Sequence, residues 1–172
     1  MTYVALLYSI VLNEGRRLVM SDLRAIAAGL GLAHPRTRLA TGNLIFETED
    51  QPVPQLESRL EKAFAEAMGK HVDIIIRTAP DWRRLTRGNP FPDRAGDQVC
   101  LRIMREPLAD SGWEHVREKA GDAEVRRVNG DLWVAFPGQP GDSRLPGHLT
   151  TKTLGVGTMR NWNTVRRIDD AL

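Results

Sequence analysis

Two stretches of this chain align with each other without a gap. Ile76-Arg77-Thr78-Ala79-Pro80-Asp81-Trp82-Arg83-Arg84-Leu85 lies over Met159-Arg160-Asn161-Trp162-Asn163-Thr164-Val165-Arg166-Arg167-Ile168. Each copy reads as a strand ending on arginine, then a capping residue (Thr78 or Asn161), then a helix with an Arg-Arg pair. A repeated strand-to-helix junction constrains the fold strongly, because the unit that precedes one copy should also precede the other.

The pattern upstream of each copy agrees. Residues 3–10 are apolar at odd and even positions, which suits a central strand covered on both faces. Residues 11–19 read as a polar connection. Ser21 is a good N-cap, and Leu23, Ile26, Ala27 and Leu30 fall at i, i+3, i+4 and i+7, so a helix is expected over 22–30 with Gly31 as its stop. Strands are expected at 36–40 and 44–48, joined by Thr41-Gly42-Asn43, where Gly and Asn tolerate positive φ. A helix over 54–68 takes Pro54 in its first turn, carries the stripe Leu56, Leu60, Ala63, Phe64 and Ala67, and ends at Gly69. Val72 to Arg77 is the next strand, and Thr78 caps a short helix with Asp81 three residues on.

Asn89-Pro90-Phe91-Pro92-Asp93-Arg94-Ala95-Gly96 then reads as a boundary, since its prolines and glycine oppose regular structure. Beyond it the order repeats. A strand is expected at 98–104 and a helix at 110–120 using Trp113, Val116 and Ala120. Strands at 124–128 and 131–136 flank Asn129-Gly130, the strongest short hairpin signal. A Pro/Gly-rich loop from Pro137 to Asp142 leads to a less regular helix from Ser143 to Leu154, closed by Gly155. The expected fold class is α+β: two tandem ferredoxin-like lobes (α-β plaits of order βαββαβ), 1–92 and 93–172, each followed by an extra helix. An internal duplication explains that plan.

A length of 172 residues accommodates two small domains. No run of about 18 apolar residues exists, so no transmembrane helix is expected. The N-terminus lacks a basic region and a small-residue cleavage site, which makes the cytoplasm the expected compartment. Cys100 is alone, so no internal disulfide forms, and its apolar surroundings suit a buried thiol. His34, His71, His115 and His148 show no ligand spacing among themselves, so neither a metal nor a cofactor is expected. The net charge of +2 comes from interleaved, mostly arginine residues that read as solvated.

Two polar clusters are candidates for binding. In the expected lobe the loop from Gly138 to Arg144 and the strand end at Arg160-Asn161 meet at one end of the sheet. Ser143, Arg144, Arg160, Asn161 and Asn163 there could hold an anion, because a helix N-terminus and guanidinium forks both favour negative charge. The competing reading is structural: Asn161 caps a helix, Trp162 is core, Asn163 bonds backbone and Arg160 is a surface strand residue. No P-loop pattern is present. Thr41, Gly42 and Asn43 form the second candidate site, with a plain turn as the alternative.

Several short landmarks resemble an uncharacterised bacterial family, the domain of unknown function numbered 1697. They are Met20, Thr41-Gly42-Asn43 with Phe46, Arg77, Asn89-Pro90-Phe91, Ser143-Arg144-Leu145 and Arg160-Asn161-Trp162-Asn163-Thr164-Val165. The resemblance implies two ferredoxin-like lobes and no established activity. Members typically read Leu-Arg-Gly-Ile-Asn-Val-Gly-Gly after the first strand, where this chain reads Leu7-Tyr8-Ser9-Ile10-Val11-Leu12-Asn13-Glu14. Tyr8, Val11, Asn13 and Glu14 thus replace an arginine, an asparagine and a glycine pair. Thr41 stands for the usual serine and Arg144 for the usual lysine. If that loop holds a ligand in relatives, this member has lost or changed it.

No nucleophile–base pair, metal spacing or carboxylate pair stands out, so no catalytic residue is nominated. The expected function is a non-catalytic binding or interaction protein with an anion site in the second lobe. One alternative is an enzyme acting on a phosphorylated or carboxylated small molecule held by Arg160, Arg144 and Ser143. The other is a nucleic-acid-binding protein whose sheet stacks bases on Phe46, Trp133 or Phe136.

Overall fold

The computed structural model describes residues 1–172. It is a mixed α+β chain with two four-stranded antiparallel sheets. The chain divides into two compact units, Met1–Arg83 with Ile168–Leu172, and Arg84–Arg167. No helix is long and apolar enough to cross a membrane.

The first unit contains β1 (Thr2–Leu7), α1 (Met20–Gly29), β2 (Ala33–Thr37), β3 (Asn43–Glu47), α2 (Val53–Met68), β4 (Ile74–Thr78) and the start of α3 (Ala79–Arg87). Its sheet order is β2-β3-β1-β4. Val4 of β1 faces Ile45 on one side and Arg77 on the other. Strand alternation sends Tyr3, Ala5 and Leu7 to one face, where Leu44, Phe46, Ile74 and Ile76 join them against Leu23, Ala27, Leu56, Leu60 and Phe64 of α1 and α2. Val4, Leu6, Ile45 and Ile75 point the other way and are also fully buried. Both faces of the sheet are covered, as the unbroken apolar run in β1 requires. Burial of each such large side chain contributes about 1.5–3 kcal/mol.

Three local expectations need correction here. β1 ends at Leu7, not at residue 10, and the connection after it is not polar throughout: Leu12 and Leu18 are buried in the core. Its apolar anchors hold it down, together with Asn13 Nδ2 donating to Gly69 O at 3.1 Å and Lys70 Nζ donating to Val11 O at 2.7 Å. Ser21 does not cap α1. The helix starts two residues earlier, at Met20, with Val19 at the N-cap position and no side-chain cap. β2 runs Ala33–Thr37 rather than 36–40, so the β2–β3 connection spans residues 38–42, and Asn43 is the first residue of β3 rather than part of the turn.

The second unit contains the end of α3, β5 (Val99–Met104), α4 (Asp110–Lys119), β6 (Glu124–Val128), β7 (Asp131–Ala135), α5 (Thr151–Leu154), β8 (Gly157–Asn161) and most of α6 (Trp162–Asp169). Its sheet order is β6-β7-β5-β8. Asn129 and Gly130 both take positive φ (52° and 88°), and the β6–β7 hairpin closes with Val128 opposite Asp131. Cys100, Met104, Leu132, Val134 and Phe136 form a core with Val116 of α4 and Leu145, Leu149 and Leu154.

The helix expected from Ser143 to Leu154 is not continuous. Short 3-10 turns at Pro140–Asp142 and Leu145–His148 precede the four-residue α5. Pro146 and Gly147 sit where a helix would have to propagate, and both oppose it.

The two aligned stretches occupy corresponding places. Arg77 lies opposite Val4 in the first sheet, and Arg160 lies opposite Leu101 in the second. Thr78 Oγ1 accepts the Asp81 N–H at 3.2 Å and donates to Asp81 Oδ2 at 2.7 Å, capping α3. Asn161 Oδ1 accepts the Thr164 N–H at 2.9 Å, capping α6.

Candidate functional site

Four of the five residues singled out for anion binding, all but Arg144, make side-chain bonds within the chain. Arg160 lies in edge strand β8 and is only 9% exposed, so it is not the surface residue of the competing reading either. Its Nη1 donates to Thr158 Oγ1 and to Met159 O, both at 2.8 Å. Burial pulls its pKa down from the ordinary guanidinium value to about 10, which leaves it charged at neutral pH. Asn161 caps α6. Asn163 Oδ1 accepts from Arg166 Nη2 at 2.9 Å, and its N–H donates to Gly96 O at 3.3 Å. Its amide packs so closely on Gly96 that an added Cβ there would sit 2.2 Å from Asn163 Oδ1. Trp162 packs its ring against Trp133 at 5.6 Å between centroids.

Ser143 and Arg144 serve the loop ahead of α5. Ser143 Oγ accepts the Leu145 N–H at 3.2 Å, while Arg144 is exposed and adopts helical φ and ψ before a 3-10 turn. The helix whose N-terminus would have completed an anion site here is the one that Pro146 and Gly147 interrupt.

Thr41, Gly42 and Asn43 form a turn with a buried anchor. Asn43 is fully buried, and its Nδ2 donates to Arg38 O at 2.9 Å and to Thr41 Oγ1 at 2.8 Å. Gly42 has φ of 73° and its carbonyl accepts the Leu7 N–H at 2.9 Å. A Cβ at Gly42 would lie 2.9 Å from Ile10 Cγ2 and 3.0 Å from Leu7 Cβ. This packing fills the inner side of the turn at Gly42 and Asn43, while Thr41 beside them is exposed.

Phe46, Trp133 and Phe136 are each at most 1% exposed. Base stacking on a sheet needs aromatic faces open to solvent, and these three are closed.

A different place in the second unit combines a cavity with polar groups. It lies where β5 runs into α4 and where α5 runs into β8. The cavity measures about 360 Å³, and Arg105, Glu106, Ser111, Gly112, Thr153 and Gly155 are among its lining residues. The N-cap position of α4 is Ala109, which has no side chain able to accept from the first turn. Ser111 and Gly112 lie in that turn, where backbone N–H groups have no carbonyl partner within the helix. The Arg105 backbone is pinned, its N–H donating to Val156 O at 2.9 Å, and Arg127 Nη1 holds the neighbouring Asp110 Oδ1 at 2.8 Å. Arg105, a hydroxyl at Ser111 and another at Thr153 therefore share one wall system with an uncapped helix start.

None of these lining residues is among the sequence candidates. The one legible signal is Ala109 immediately before the helix, a position that usually carries Ser, Thr, Asp or Asn. The approach of the α5–β8 connection to that helix start depends on tertiary packing and leaves no short motif.

A conserved bacterial protein from Streptococcus pneumoniae has a similar solved structure. The TM-score is 0.74 at 19% identity, covering 98% of this chain and 97% of that one. The likeness is one of fold. Comparison with curated proteins finds no match. The sequence matches the family described as "Protein of unknown function (DUF1697)" over residues 1–133, a span that ends in β7, ahead of Ser143 and Arg160. On that match, the chain belongs to the DUF1697 family.

Proposed function

We propose that this chain is a non-catalytic binding protein built from two ferredoxin-like lobes related by duplication. In this reading the second lobe takes a small carboxylated or phosphorylated molecule in the cavity beside α4. The observation that carries the proposal is the uncapped α4 start opening on a cavity that Arg105, Ser111 and Thr153 also line. Free N–H groups at a helix start and a guanidinium both favour an anion. Glu106 on the same lining offsets part of that field, which suits a ligand with one anionic group over a polyanion. The plait reading rests on the element order and on sheet orders β2-β3-β1-β4 and β6-β7-β5-β8.

A thermal-shift series with inorganic phosphate, acetate and citrate tests the site. Phosphate or a carboxylate should raise the melting temperature of the wild-type chain, because a ligand that binds only the folded state stabilises it. Arg105→Met should remove the shift while Arg144→Met retains it. Equal shifts in wild type and Arg105→Met would refute the placement, and no shift with any of the three would refute anion binding.

A further inference from the structure

Three side chains able to ligate a metal meet in the first unit, from segments that no short motif links. Glu61 comes from α2, while His71 and Asp73 come from the residues between Gly69, which ends α2, and β4. Val72 between them is 4% exposed. Alternation along an extended chain places His71 and Asp73 on one side when the residue between them points inward. One ligand atom from each of the three lies within 4.8 Å of the others. His71 Nε2 is 3.4 Å from Asp73 Oδ1.

The cluster is anchored at both ends. Glu61 Oε1 accepts the Ile74 N–H at 2.9 Å, which fixes the carboxylate beside the start of β4. A carboxylate offers about four acceptor positions, so this bond is compatible with a metal ligand role. The Asp73 carbonyl accepts the Tyr8 N–H at 2.9 Å, which holds its backbone against the end of β1. His71 is the exposed member, with its side chain 62% accessible.

We propose that Glu61, His71 and Asp73 bind a divalent ion of the zinc class, with water completing its coordination. One imidazole and two carboxylates suit Zn²⁺ better than Mg²⁺, which favours all-oxygen shells and retains its own water. A tetrahedral ion with bonds of roughly 2.0–2.1 Å sets its donors roughly 3.4 Å apart. The His71–Asp73 pair already has that separation. The three ligand atoms lie within 4.8 Å of one another, so rotation of the exposed imidazole would suffice to bring them to bonding spacing. The ion would pin the last turns of α2 to the start of β4. This inference does not depend on the anion cavity of the second unit.

The test uses the untagged full chain, stripped with a chelator and titrated with ZnCl₂. Zn²⁺ should bind with one-to-one stoichiometry and raise the melting temperature, and MgCl₂ at the same concentration should not. Co²⁺ in its place should give the intense visible bands of a tetrahedral site. His71→Ala should weaken Zn²⁺ binding roughly tenfold or more, on the scale of losses seen when a site's supporting groups are removed. Glu61→Gln keeps an oxygen for the Ile74 N–H and should show a comparable loss in a folded chain. Absence of saturable Zn²⁺ binding to the wild type would overturn the proposal, as would undiminished binding in both variants.

Discussion

Glu57 is a charged residue turned inward, and its Oε1 accepts the backbone N–H of Ile76 at 2.9 Å. Glu61, one helical turn on, does the same for Ile74. β4 is an edge strand, so these N–H groups face away from β1. Two carboxylates spaced i, i+4 on α2 therefore cover an edge that would otherwise be open to pairing with another chain.

Removal of that cover should be costly. Glu57→Ala leaves the Ile76 N–H without this acceptor, which costs about 1–3 kcal/mol. Glu57→Gln, whose amide oxygen also accepts, should recover most of the loss. Urea unfolding of the three proteins measures it. The double variant Glu57→Ala/Glu61→Ala should also self-associate with rising concentration, read by light scattering.

Gly42→Ala tests the β2–β3 turn. The left-handed backbone at φ 73° and the Ile10 and Leu7 contacts both oppose a Cβ there. A loss of about 1–3 kcal/mol is expected, combining backbone strain with overpacking. A loss under about 0.5 kcal/mol would show that the turn relaxes freely. Gly138→Ala, where a Cβ meets open space, is the control.

Cys100 makes a pH prediction. Burial pushes its thiol up from 9.0 to about 11. Between those values the unfolded chain has lost the proton that the folded chain keeps, so rising pH favours unfolding. This contribution to stability is complete below pH 9 and is lost as pH rises toward 11. Cys100→Ala should lack that part of the decline, compared by urea midpoints at pH 8.5 and 10.5. At pH 8 the native thiol should also resist a disulfide reagent that modifies it rapidly in guanidinium.

Local chemistry was legible where it acted alone. Asn129-Gly130 demands positive φ at two successive residues, and the hairpin falls where that pair places it. The caps at Thr78 and Asn161 were readable for the same reason, since a cap and its N–H partner lie three residues apart. The β2–β3 turn was read less well. Leu39, a bulky residue at φ 58°, takes a left-handed conformation that propensity argues against, and Asn43 is drawn into β3 by its buried bonds. The charge of Arg160 is visible in sequence, whereas its burial depends on how β8 is covered. The cavity beside α4 comes from contacts between distant segments, and the Glu61, His71 and Asp73 cluster from the fold-back of the chain after α2, neither of which periodicity reports.

Between β7 and β8 the second unit has nothing longer than the four-residue α5, where the first unit has the 16-residue α2. Helix formation is cooperative, so a single turn protects its amides poorly and a long, packed helix protects them well. The two units therefore differ in how much regular helix precedes their last strand. Hydrogen exchange should be fast through Gly138–Thr153 and slow through Leu56–Phe64. Thr153 and its neighbours also line the cavity beside α4, so a ligand bound there, as proposed, would have to order that segment if its amides exchange fast. Its affinity would carry an entropic penalty, and the depth of that penalty would be read in how far exchange slows when the ligand is present.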